Sequence, residues 1–104
     1  MPAVRVLVVD DHAIVRRSIC SLLSSDLAVD VICQTADGEE AVMKAGELQP
    51  DLVILDIGLP GINGIEAARQ IGRVSPKSQI IFLSQHDSLH MAKEALRVGG
   101  HAAL

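Results

Sequence analysis

Apart from Arg5 and Gln79 near their starts, three short stretches of this chain are apolar at successive positions, and each runs straight into a polar side chain. Val4–Val9 ends at Asp10-Asp11, Leu52–Leu55 at Asp56, and Gln79–Leu83 at Ser84. A strand with apolar side chains on both faces is stable only when both faces are covered, as in a parallel sheet. Val29–Gln34 reads as a further strand with weaker flanks, and His101–Leu104 is short and apolar enough to begin a fifth.

Helical patterns separate these strands. Ile14, Ile19, Leu22 and Leu23 mark one face of a helix from about His12 to Ser24. Ala41, Ala45 and Leu48 mark a second, opened by the turn Asp37-Gly38. Ile65, Ala68 and Ile71 mark a third, with Asn63 as N-cap and Pro76 beyond its end. Leu89, Ala92 and Leu96 mark a fourth, closed by Gly99-Gly100. Such alternation predicts an α/β fold, a doubly wound parallel sheet with right-handed crossovers.

Composition removes several classes of function. The 104 residues suit one domain, and 49% hydrophobic content is too high for a disordered chain. No apolar run approaches the ~20 residues of a membrane span, and no basic-then-apolar leader precedes the first strand. Thirteen acids against nine bases give a net charge of −4 with no basic stripe, and Phe82 is the lone aromatic residue. Nucleic-acid readout by this domain is therefore not expected. Cys20 and Cys33 lie inside apolar-periodic segments and read as free thiols of a cytoplasmic protein.

Ligands of open parallel sheets bind outside the carboxyl ends of the strands, where the strand order reverses. The residues at those ends are Asp10, Asp11, Asp56 and Ser84. Three carboxylates in one crevice repel one another unless a cation joins them or their pKa values rise. Mg²⁺ suits such an oxygen set and keeps waters that leave room for a phosphate. A carboxylate oxygen can attack phosphorus and form an acyl phosphate, and Asp56, ending a central strand, is the best placed nucleophile. Ser84 could donate to a phosphoryl oxygen. After Asp56, the turn signal Pro60-Gly61 and the helix start Asn63-Gly64 describe a rigid connection.

These residues carry a resemblance. Asp10-Asp11, the string from Asp56 to Gly64, and Leu83-Ser84 with Gly99 resemble the receiver domain of bacterial two-component response regulators, over Val4 to Leu104. Asp10-Asp11-His12, the segment Leu83 to Asp87 and the segment Ala95 to Gly99 are similar to the NarL/LuxR-type branch. The resemblance implies a five-stranded sheet of order 2-1-3-4-5, an order for which a chemotaxis receiver is a standard example. It also implies that Asp56 accepts a phosphoryl group from a histidine kinase. Asp10, Asp11, Asp56 and the backbone carbonyl of Gly58 would hold Mg²⁺, and Ser84 would be the switch hydroxyl. The domain is then no enzyme beyond promoting its own phosphorylation. Transcriptional control through DNA would belong to an output domain outside these residues.

The sequence departs from the family pattern in three places. The family lysine falls about two residues beyond Leu104, the switch aromatic aligns with Ala103, and Gln85 is bulkier than the small residue many relatives carry. The chain thus reads as a receiver domain over residues 1–104 without its last helix. That reading predicts self-association through the face beside Ile14, Ile19 and Leu22. Two other functions compete: a phosphate-independent receiver-fold interaction module, and a Mg²⁺-dependent phosphohydrolase using an aspartyl phosphate. The second needs an Asp two positions beyond its nucleophile, where this chain has Gly58. His86 and His90 have the spacing of a helical metal pair but no third ligand nearby, and His12 reads equally as a site neighbour or a polar helix opener. Arg16-Arg17 reads as a solvated or partner-facing surface.

Overall fold

The computed structural model describes residues 2–83. Chain order is β1 (Val4–Val9), α1 (Ala13–Ser24), β2 (Val29–Thr35), α2 (Gly38–Leu48), β3 (Leu52–Asp56), α3 (Gly64–Val74) and β4 (Gln79–Leu83). All strand pairs are parallel, and the sheet order is β2-β1-β3-β4. This agrees with the expected doubly wound order over the described residues. The expected fourth helix and fifth strand, with Ser84, His86, His90 and Ala103, lie outside them.

Continuous apolar strands supply both faces of this sheet. Leu7 and Val9 of β1 pack with Val53 and Leu55 of β3 against Ala45 of α2 and Ile71 of α3. The alternate residues Val6, Val8 and Ile54 face the other way, with Ile81 and Leu83 of β4 and Cys20 of α1. Both cysteines are free thiols, Cys20 buried and Cys33 half-buried.

Two helix faces differ from the periodicity expected of them. Ile14 and Leu22 of α1 are 78% and 66% exposed, and Ile19, Cys20 and Leu23 form the packed face instead. In α3 the buried residues are Gly64, Ala67 and Ile71, whereas Ile65 is 64% exposed. Six residues turn a helix by about 240°, so Ile65 and Ile71 cannot share a face. Small residues carried more of the burial than the large ones suggested.

The ends of the helices are fixed by side chains. Asp37 accepts the Glu40 amide at 2.8 Å and Asn63 the Glu66 amide at 2.9 Å, the N-cap geometry expected for Asn63. At the other end of α2, Gln49 adopts the left-handed conformation with φ 49°. Its side-chain amide donates to the carbonyls of Gly46 at 2.9 Å and Val74 at 2.8 Å, tying α2 to α3. Arg5 donates to the carbonyls of Leu48 and Gln49 at 2.7 and 2.8 Å, which closes the amino-terminal rim of the sheet.

The face assignment of α3 has a direct check in urea unfolding midpoints. Ile71→Ala should cost about 2–5 kcal/mol, as a fully buried aliphatic deletion does. Ile65→Ala should stay within about 0.5 kcal/mol.

Candidate functional site

The crevice forms where the sheet order reverses, between the carboxyl ends of β1 and β3. Asp10 follows β1 directly, and its amide donates to the Thr35 carbonyl at 3.1 Å. Pairing with β2 thus extends one residue past the strand and holds the Asp10 carboxylate at the rim, 3% exposed. Arg16 of α1 donates to the Asp10 carbonyl at 2.7 Å, so it braces the site instead of forming a solvated surface. Asp56 ends β3 and is 2% exposed.

Backbone packing fixes Asp56 from both sides. The amide of Ile57 donates to the Leu83 carbonyl at 2.9 Å, pinning the peptide after Asp56 to β4. The Gly64 amide donates to the Ile57 carbonyl at 3.0 Å, folding the start of α3 back over the strand end. A Cβ on Gly64 would collide with the Asp56 carbonyl oxygen and stand 2.7 Å from the Ile57 Cα, so a side chain there would push the strand aside. Between them, Leu59 is buried in the core beneath α2 and α3 and anchors the loop.

Asp10, Asp11, His12 and Asp56 each offer one ligand atom, and these atoms all lie within 4.8 Å of one another. His12 Nδ1 stands 3.0 Å from Asp11 Oδ1 and 3.3 Å from Asp10 Oδ1. Although His12 occupies the N-cap of α1, its side chain makes no cap bond; its backbone amide donates to Asp10 Oδ1 at 2.8 Å. His12 is therefore a neighbour of the site and not only a helix opener. Burial pushes the Asp56 carboxyl above the usual aspartate range. The Gly58 amide opposes that shift, while the neighbouring carboxylates of Asp10 and Asp11 add to it.

The two oxygens of Asp56 differ. Oδ1 accepts the Gly58 amide at 3.0 Å, whereas Oδ2 is buried with no hydrogen-bond partner among the described residues. Buried carboxylate oxygens are normally satisfied, and an exception at the meeting point of three acids marks a place suited to a cation. Thr35, buried at the end of β2, also has a hydroxyl without a hydrogen-bond partner among the described residues. Sequence reasoning missed Thr35, although the strand-end position that singled out Asp10 and Asp56 applies to it too.

Against known families, residues 6–104 match the response regulator receiver domain. The chain belongs to the response regulator receiver family. The GacA response regulator of Pseudomonas viridiflava is 44% identical over 78 residues, covering 75% of this chain and 36% of that protein. A protein-glutamate methylesterase/protein-glutamine glutaminase of Nocardioides sp. is 42% identical over 84 residues, covering 81% of this chain and 23% of that protein. A LuxR-family two-component response regulator from Aurantimonas sp. SI85-9A1 superposes with a TM-score of 0.78 at 33% identity, over 97% of this chain and 72% of that one. This receiver domain spans about a third or less of the two curated relatives. Among its described residues, no helix is long and apolar enough to cross a membrane.

Charge repulsion in the receiver crevice predicts a sign for pH dependence. A carboxyl raised on folding contributes stability below its unfolded pKa and loses it as pH rises through the folded value. Without divalent cations, Asp56→Asn should therefore melt higher than the parent near neutral pH. The difference should shrink as pH falls below the raised value of Asp56. Thermal melts in chelator across pH 4 to 8 would check this; a gain that does not depend on pH would contradict the electrostatic account.

Proposed function

We propose that this receiver domain is a phosphorylation-dependent signalling switch in which Asp56 takes a phosphoryl group from a histidine kinase. The observation that carries the reading is the Asp56 Oδ2 atom, buried and without a partner among the described residues, on a carboxyl group that clusters with those of Asp10 and Asp11. It is a nucleophilic oxygen kept out of water and left uncommitted by the protein. The donor set suits Mg²⁺, with Asp10, Asp11, Asp56 and the Gly58 carbonyl as its holders. When bound, Mg²⁺ would neutralise charge on the carboxylates and on phosphoryl oxygens.

The chain's own residues then divide the work. Gly58 holds Oδ1 and so orients the carboxylate, leaving Oδ2 to form the O–P bond. As that bond forms, the P–N bond of the donor phosphohistidine breaks and its electron pair leaves on the imidazole. Ser84 donates its hydroxyl to a phosphoryl oxygen, which would bias an existing equilibrium between two arrangements of the region after β4. No second acid stands at position 58 to drive hydrolysis of a substrate ester, which disfavours a phosphohydrolase. The domain acts as a stoichiometric acceptor rather than an enzyme with turnover.

Residues 1–104 form the receiver unit of a longer regulator in this reading. In this reading the longer regulator is cytoplasmic and acts on transcription through a DNA-binding output, in keeping with likeness to the response regulator GacA and to a LuxR-family response regulator. The methylesterase relative supports an enzymatic output as the alternative.

Two measurements test the switch and its metal. Intact mass after acetyl phosphate with Mg²⁺ should rise by one phosphoryl group in the parent and not at all in Asp56→Asn. No adduct on the parent would leave a phosphate-independent interaction module. In melting experiments Mg²⁺ should stabilise the parent, because it binds only the assembled site. Asp11→Ala should melt higher than the parent without metal and lose the response to Mg²⁺; an equal response in the variant would remove Asp11 from the metal set.

A further inference from the structure

The carboxylates of the crevice are not its only donors, because an imidazole nitrogen stands among them. His12 Nδ1 lies 3.0 Å from Asp11 Oδ1 and 3.3 Å from Asp10 Oδ1, and the four candidate ligand atoms of Asp10, Asp11, His12 and Asp56 fit within 4.8 Å. Six-coordinate divalent ions with bonds of about 2.1 Å place adjacent ligand atoms about 3.0 Å apart and opposite ones about 4.2 Å apart. Both His12 separations fall near the adjacent spacing, and the whole set requires only a small contraction around an ion.

We propose that His12 supplies Nδ1 as a fourth protein ligand, making this pocket a mixed nitrogen–oxygen site that favours first-row transition ions such as Mn²⁺ and Ni²⁺ over Mg²⁺. The inference rests on the carboxylate metal site described above and adds to it an ion preference set by one residue. Mg²⁺ is a hard cation that gains little from an imidazole, whereas transition ions gain steadily along the series from Mn²⁺ to Ni²⁺. The backbone holds the ligand in place: the His12 amide donates to Asp10 Oδ1 at 2.8 Å, so the residue cannot leave the acid pair without breaking that bond. His12 also opens α1, whose amino-terminal end is directed at the crevice while the imidazole makes no cap bond. Carboxylate oxygens only accept hydrogen bonds, so at these distances Nδ1 donates to the acid pair, and an entering ion would take the place of that proton. Asp56, whose Oδ2 is buried without a partner among the described residues, contributes a further carboxylate to the same cluster.

Calorimetric titration of the 104-residue chain with MgCl₂ and with NiCl₂, beside pulsed EPR of the Mn²⁺-loaded protein, would decide the matter. The parent should bind Ni²⁺ more tightly than Mg²⁺ and show a ¹⁴N coupling to Mn²⁺. His12→Phe should lower the Ni²⁺-to-Mg²⁺ affinity ratio by at least about tenfold, a typical cost of disturbing the ligands of a metal site, and should lose the coupling. An unchanged ratio, or a coupling that survives in His12→Phe and so comes from another histidine, would overturn the role of His12 while leaving the carboxylate site intact. Failure of the parent to bind either ion would overturn both. A His12→Gln variant guards against misfolding of the Phe variant: it should melt as the parent does in chelator and still lack the nitrogen coupling.

Discussion

A sheet covered on both faces has only its strand ends in which to place charge. Here that constraint governs everything else. Leu7, Val8, Val53 and Leu55 are essentially inaccessible to water, so no polar side chain can interrupt the middle of β1 or β3 without a large desolvation cost. Polar chemistry is displaced to the rims, and the two rims differ. At the amino-terminal rim, Arg5 and Gln49 satisfy the carbonyls that α2 and α3 leave open. At the carboxyl rim, Asp10 and Asp56 are brought together at a crossover, nearly as buried as the core itself. One end of the sheet is neutralised by its own hydrogen bonds, while the other retains charge.

That retained charge is costly, and the local backbone shows how it is tolerated. The Gly58 amide faces one oxygen of Asp56, the His12 amide faces Asp10, and the amino-terminal end of α1 is directed at the same crevice. Each supplies a partial positive charge fixed by the chain, and none supplies a full one. The pocket is thus biased toward binding a cation, because these backbone groups offset only part of its charge. A lysine or arginine in the same position would stabilise the empty fold and weaken the site.

Much of this arrangement was readable in the amino-acid sequence, for reasons that can be traced to individual residues. Runs such as Val6–Val9 and Leu52–Leu55 admit few readings other than strands covered on both faces. Their terminal acids then fall at the ligand-binding rim by topology alone. The face of α2 was readable from Ala41 and Ala45, both buried, but that of α3 was less so, because its burial rests on Gly64 and Ala67, residues too small to stand out in a hydrophobic pattern. Ile14, Leu22 and Ile65 stand out strongly and are exposed. The position of the His12 side chain was also beyond the pattern, since a polar residue opening a helix can turn toward its cap or away from it. So was Arg16, whose bond to the Asp10 carbonyl joins residues on successive elements and leaves no periodic trace.

The contact of Gly64 with the end of β3 bears on how the domain can move. With the Gly64 Cα seated on the Asp56 carbonyl and the Gly64 amide bonded to Ile57, the junction between β3 and α3 behaves as a single rigid piece. It has no slack in which to absorb a change at the Asp56 side chain. Among the described residues, the Ile57 amide ties this junction sideways to the carbonyl of Leu83, the last residue of β4. A displacement that begins at the crevice thus has a direct path across the sheet toward β4. A glycine with no side chain is what lets the two elements meet closely enough to form that rigid junction.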